Sequence, residues 1–141
     1  MQRMERTPSG ESVSFQEQST RERLRLEYLH QAAVMLMRLG VPPHLSGYRF
    51  LKLAIALVAE QPDMLQCVTR ELYPQVAFSS NTTPSCVERD IRNAIAVTWN
   101  RDGGCAYGEL VTGTAACSYK PSNSELIAQV AERIRIMKKT N

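Results

Sequence analysis

Prolines at positions 42, 43, 62, 74 and 84 divide a chain whose apolar residues otherwise recur at helical spacing. Proline has no amide hydrogen to donate and pushes the residue before it out of the helical region, so each of these positions ends one helix or opens another. Upstream of the Pro42-Pro43 pair, Leu26, Leu29, Ala33 and Leu36 share one helical face, which Ala32, Met35 and Leu39 widen. The spacing predicts a first helix from Glu22, closed by Gly40. Tyr48, Leu51, Ala54, Ile55 and Val58 build a second amphipathic helix ending near Gln61-Pro62, and Asp63 can cap a third carried by Met64, Leu65, Val68 and Leu72. Pro74 fits the first turn of a short fourth helix, Tyr73 to Ser80.

Asn81-Thr82-Thr83-Pro84 then punctuates the chain before a long helical pattern that ends at Trp99. Either Thr83 followed by Pro84, or Ser85 with Glu88 as a capping box, can start this fifth helix. Four glycines between Asn100 and Pro121 (Gly103, Gly104, Gly108 and Gly113) predict a loop, with a small hairpin around Leu110-Val111-Thr112. Ser122-x-x-Glu125 matches a capping box, and Ile127, Val130, Ile134 and Met137 give the last helix its apolar stripe. The expected fold is all-α, about six helices. Residues 1–20 are polar, hold Pro8 and Gly10, and read as a flexible leader to a helical domain at 21–141.

With 43% hydrophobic and 22% charged residues the chain can bury a core and is not disordered throughout. Its apolar runs, the longest being Leu53–Ala59, fall short of the roughly 20 residues of a membrane helix, and the N-terminus carries no signal-peptide pattern. A cytoplasmic location is therefore expected. Cys67, Cys86, Cys105 and Cys117 form no C-x-x-C pair, and His30 and His44 lie far upstream of three of them, so reduced thiols are expected and no metal or cofactor.

No nucleophile with a base, no pair of converging carboxylates and no phosphate-cradling glycine loop is visible, so the chain does not read as an enzyme. Gly103-Gly104 lacks the preceding strand that a phosphate loop needs, and His44 reads as a capping or packing histidine.

A short helix, a tight polar turn and a longer helix form the layout of a helix-turn-helix. On the longer helix Val87, Ile91, Ala94, Ile95 and Thr98 share one face, which leaves Glu88, Arg89, Arg92, Asn93 and Ala96 on the other. Arginine can fork onto guanine, asparagine can pair with adenine and a carboxylate can accept from cytosine, so this face suits base edges in the major groove of double-stranded DNA. The same residues also suit a solvated face carrying a Glu88–Arg92 ion pair one turn long. Trp99 is expected to pack at the end of the apolar stripe, Cys86 to sit where a helix start can lower a thiol pKa, and Arg133, Arg135, Lys138 and Lys139 to favour a helix C-terminus or contact phosphate.

These elements contain Gly40-Val41-Pro42-Pro43-His44-Leu45-Ser46-Gly47-Tyr48-Arg49-Phe50-Leu51, Glu71-Leu72-Tyr73-Pro74, Asn81-Thr82-Thr83-Pro84-Ser85-Cys86-Val87-Glu88-Arg89, Ile91-Arg92, Ala94-Ile95, Val97, Trp99 and Lys120-Pro121-Ser122-Asn123-Ser124-Glu125. In this order they resemble the DNA-binding effector domain of the sporulation master response regulator, stage-zero sporulation protein A, of endospore-forming bacteria. The resemblance implies a six-helix fold of the winged-helix-like, response-regulator effector kind. It implies sequence-specific binding to promoter boxes with a TGTCGAA-type core by tandem protomers, and contact with the RNA polymerase sigma subunit through the segment after the recognition helix.

Carried over by position, the resemblance makes Glu88 and Arg92 base-reading and assigns Arg89, Thr82, Thr83 and Ser85 to the phosphate backbone. The chain departs from the family at Cys86, where arginine is usual, and at Asn93 and Ala96, which replace bulkier polar residues. Asp90 adds a negative charge near the groove, and Arg101–Tyr119 diverges. Family regulators carry an N-terminal receiver domain, which a 20-residue leader is too short to form, so control other than receiver phosphorylation is expected. The alternative expectation is a protein-interaction module or antagonist that binds a full-length regulator or RNA polymerase, with weak DNA binding.

Overall fold

The computed structural model describes residues 14–114 and 119–140. Six α-helices follow in order: α1 Phe15–Leu39, α2 Ser46–Glu60, α3 Tyr73–Ser79, α4 Pro84–Asp102, α5 Cys105–Thr112 and α6 Asn123–Thr140. No strand occurs among the described residues, so the fold is all-α as expected. α2 lies at the centre, packed against α1, α4 and α6. Its Leu51, Ala54, Ile55 and Ala59 are fully buried, and they meet Leu36, Ile91 and Ile127 of the surrounding helices in one core. Each such leucine or isoleucine contributes about 1.5–3 kcal/mol through burial, which makes α2 the platform on which the other helices are set. Among the described residues no helix is long and apolar enough to cross a membrane.

Three elements differ from expectation. α1 starts two turns before Glu22, because Ser14 and Glu17 form a reciprocal capping box; residues 15–20, expected in the leader, are helical. The rest of that leader, residues 1–13, lies outside the described residues. The expected third helix is instead a 3-10 segment, Pro62–Cys67, running into a π turn, Val68–Leu72, and Asp63 sits inside its first turn while Gln61 occupies the cap. This change of pitch delivers Met64 and Leu72 to the core and feeds the chain directly into α3.

The third difference is α5, which stands where a loop with a hairpin is expected. Asp102 accepts hydrogen bonds from the amides of Gly104 (2.9 Å) and Ala106 (3.1 Å), so a side chain from the end of α4 caps the start of α5. Gly103 and Gly104 take positive φ and reverse the chain, and Gly113 ends the helix in the left-handed conformation. Residues 115–118 of the expected loop, with Cys117, lie outside the described residues.

Candidate nucleic-acid interface

Pro84 occupies the first turn of α4 and Thr83 caps it, its hydroxyl accepting from the Cys86 amide at 3.2 Å. Thr83 is therefore the start signal that operates, and Ser85 is left exposed. Between α3 and α4 the chain turns through Asn81, the one non-glycine residue of positive φ (57°) among the described residues. Asparagine tolerates this conformation better than most residues. The amide of Thr82 reaches back to the Ala77 carbonyl (3.0 Å), closing the turn against α3. Short helix, closed turn and 19-residue helix thus follow one another in the expected order.

The two faces of α4 divide as the spacing predicts. Val87, Ile91, Ala94 and Ile95 are buried, whereas Arg89, Arg92 and Asn93 are exposed and Glu88 is half-buried. Thr98 lies between, half-buried, with its hydroxyl donating to the Ala94 carbonyl (2.7 Å). On the outward face Arg92 pairs with Glu88, and the Arg89 Nε lies 3.7 Å from an Asp90 carboxylate oxygen. Solvent-exposed pairs of this kind contribute about 0–1 kcal/mol, so they orient the guanidinium groups without trapping them. Either arginine can leave its carboxylate for a phosphate or a guanine edge at small cost.

Thr82, Thr83 and Ser85 lie at the N-terminal end of α4, where unpaired amides and the helix dipole favour anions, and Glu88, Arg89, Arg92 and Asn93 follow along the next turns, with Asn93 at mid-helix. Cys86 shares this end. Hydrogen bonds from Thr83 and Thr82, with Arg89 nearby, hold its thiol below the ordinary range, and an Arg89 nitrogen lies 3.5 Å from its sulfur.

Two contacts that no local pattern signals set the pose of this helix. Gly47, in the first turn of α2, lies so close to α4 that a Cβ there would stand 2.6 Å from the Ala94 Cβ and closer still to the Asp90 carbonyl oxygen. Asn123, at the start of α6, donates from Nδ2 to the Glu88 carbonyl (3.0 Å) and to the Tyr73 hydroxyl (3.2 Å). One amide therefore ties α6, α3 and the N-terminal half of α4 together. Burial pushes the Tyr73 hydroxyl above its ordinary pKa, against the opposing effect of that hydrogen bond, and keeps it neutral.

Beside Glu88 and Arg92 a cleft of about 560 Å³ opens toward residues 120–125, with Lys120 exposed at its rim. The Ser122–Glu125 capping box forms as expected, with bonds of 2.8 and 3.2 Å.

Residues 32–134 match the family described as sporulation initiation factor Spo0A C terminal, well over half of the chain. The chain belongs to this family. Membership in the Spo0A C-terminal family, which is not an enzyme class, makes it a DNA-binding domain of the sporulation-regulator kind, with DNA as partner. The match contains α2 to α5 entire, including the whole α3–α4 unit and Asn123, and leaves out the first two-thirds of α1 and the end of α6.

Other candidate residues take structural places. Trp99 is half-buried and meets Tyr107 of α5 edge to face, ring centroids 5.7 Å apart. Of the basic residues on α6, Arg135 donates to the Ala59 carbonyl (2.9 Å) and Lys138 pairs with Glu27 (2.6 Å), tying α6 to α2 and α1. The Lys139 side chain lies outside the described residues. His44 is exposed rather than packed, and the cap position of α2 belongs to Leu45. The described cysteines Cys67, Cys86 and Cys105 are free thiols, and no cluster of potential metal ligands occurs among the described residues.

Proposed function

We propose that the chain is a sequence-specific transcriptional regulator that reads short promoter boxes by laying the N-terminal half of α4 in the major groove. The observation that carries this reading is the grouping of Glu88, Arg89, Arg92 and Asn93 on the open face of a helix whose opposite face is fully buried. Arg92 would fork onto a guanine, with Glu88 orienting it or accepting from a cytosine, and Asn93 would meet an adenine or a neighbouring backbone oxygen. Arg89, Thr82, Thr83 and Ser85 would hold phosphates on either side. The family's tandem arrangement on DNA and its contact with the polymerase sigma subunit extend this reading, the latter through α5, which follows the recognition helix directly.

Selection of bound fragments from random duplexes supplies the preferred box. On that box Arg92→Ala loses about 1–3 kcal/mol of discrimination at one base pair, the usual worth of a good base contact. Arg89→Ala weakens specific and random duplex alike and lowers the salt slope by about one. Equal losses on both duplexes for both variants, or no box enriched at low salt, would overturn the assignment.

A further inference from the structure

The longest helix carries three large apolar side chains that the core does not use, Leu26 among them although its spacing places it on the core face. Phe15, Leu26 and Met37 of α1 are 84%, 64% and 62% exposed, while the same helix buries Tyr28, Ala32, Met35, Leu36 and Leu39 against the core. The three exposed residues recur every eleven positions, which at about 100° per residue returns each to the same side of the helix with a drift of only about 20°. They form a straight ridge with a rise of about 16 Å between successive members.

The ridge is symmetric about its midpoint. Positions 15, 19, 22, 26, 30, 33 and 37 lie along it, with Ala33 at its edge where it also packs against the core, and reversal about residue 26 maps the set onto itself. A second α1 laid antiparallel along the first would set Leu26 against Leu26, Phe15 against Met37 and Ser19 against Ala33. It would also set the Glu22 carboxylate against the His30 imidazole, which can donate to it. Large meets large at the ends, small meets small between them, and the one acidic position meets the one imidazole.

A two-fold interface requires this relation, in which residue i meets j and j meets i. We infer that α1 is an antiparallel homodimerisation surface, whose occupant is the α1 of a second copy of this chain. The contact is separate from the DNA-facing end of α4 and independent of the function proposed above. Three apolar side chains per copy are far less than an obligate dimer requires, where interfaces exceed about 2,000 Å², so the association is reversible and depends on concentration.

Sedimentation equilibrium of the full chain, in steps up to about 1 mM, should show monomer passing to dimer and no larger species. Leu26→Glu places two carboxylates face to face on the two-fold axis and should weaken the dimer on the order of tenfold or more. Leu26 is exposed, so an unchanged helical circular-dichroism signal verifies that the variant is folded.

The register is tested by oxidative cross-linking scored above the wild-type level. Leu26→Cys alone should give covalent dimer; Phe15→Cys and Met37→Cys should give it when mixed and not separately. A chain that stays monomeric over the whole range overturns the inference, as does a dimer indifferent to Leu26→Glu. Cross-linking of Phe15→Cys with itself, as strong as in the mixture, overturns the antiparallel register.

Discussion

The two halves of α4 are held in different ways. The N-terminal half, which carries the outward charges, is fixed through its backbone: Gly47 lets α2 approach the Asp90 carbonyl, Asn123 holds the Glu88 carbonyl, and Thr83 caps the first turn. The C-terminal half is held by side chains, with Trp99 resting on Tyr107 and against Gly104, where a Cβ would collide with the indole ring. Backbone clamps leave the side chains at 88, 89, 92 and 93 free to meet a ligand while setting where they stand. A side-chain stack serves stability and gives nothing to that face. The function proposed for α4 calls for the first kind of support, since a small displacement of a reading helix misplaces every contact it makes.

The clamp at Gly47 should give the largest response. Gly47→Ala drives a methyl group into the backbone of α4, which cannot move aside as a flexible side chain can. Overpacking costs about 1–3 kcal/mol, and a backbone obstacle places this site at about 3 kcal/mol. Urea unfolding should show a lowered midpoint, and binding to the selected box should fall further than binding to random duplex, because α4 is pushed out of register. An unchanged midpoint would mean that the approach of α2 to α4 is looser than the structure shows.

Much of this arrangement is legible locally. Pro84, the Thr83 cap and the split of buried and charged positions make α4 legible from its own residues as a helix with a charged outer face, and the Ser122–Glu125 box marks the start of α6 in the same way. What local pattern misses is support from a distance. Asn123 acts across 35 and 50 residues on Glu88 and Tyr73, and a glycine inside α2 reads as a helix defect until the neighbouring helix is in place. α5 is hidden for another reason, because Gly103, Gly104, Gly108 and Gly113 suggest a loop by composition. Two of them in fact reverse the chain ahead of the helix, one is buried within it and one ends it. The pair Ser14 and Glu17 is a local signal of helix start, overshadowed by the polar stretch around it.

The second clamp should respond less in stability and more in recognition. Asn123→Ala removes two hydrogen bonds of about 0.5–1.5 kcal/mol each, and solvent at the half-buried site recovers part of the loss, leaving a destabilisation of about 1–2 kcal/mol. Since the Glu88 carbonyl keeps its place in the α4 ladder, the helix persists, but its N-terminal half is no longer pinned to α6. Gel shifts should show the ratio of specific to random affinity falling while the salt slope stays the same. A fall in both affinities together would make Asn123 a support of the fold alone.

The smallest effect on recognition belongs to the side-chain stack. Tyr107→Ala leaves one edge of Trp99 without its aromatic partner and trims a half-buried ring from α5. Edge-to-face pairs contribute about 0.5–1.5 kcal/mol beyond burial, and partial exposure of both rings keeps the whole cost near 1–2 kcal/mol. The distinguishing measurement is binding. With Gly47, Asn123 and Thr83 intact, Glu88, Arg89 and Arg92 stand where they did, so affinity for the selected box should match that of the wild type at every salt concentration. A loss of specific affinity in Tyr107→Ala as large as in Asn123→Ala would show that α4 behaves as one rigid rod, steered equally from both ends, and would dissolve the division between its halves.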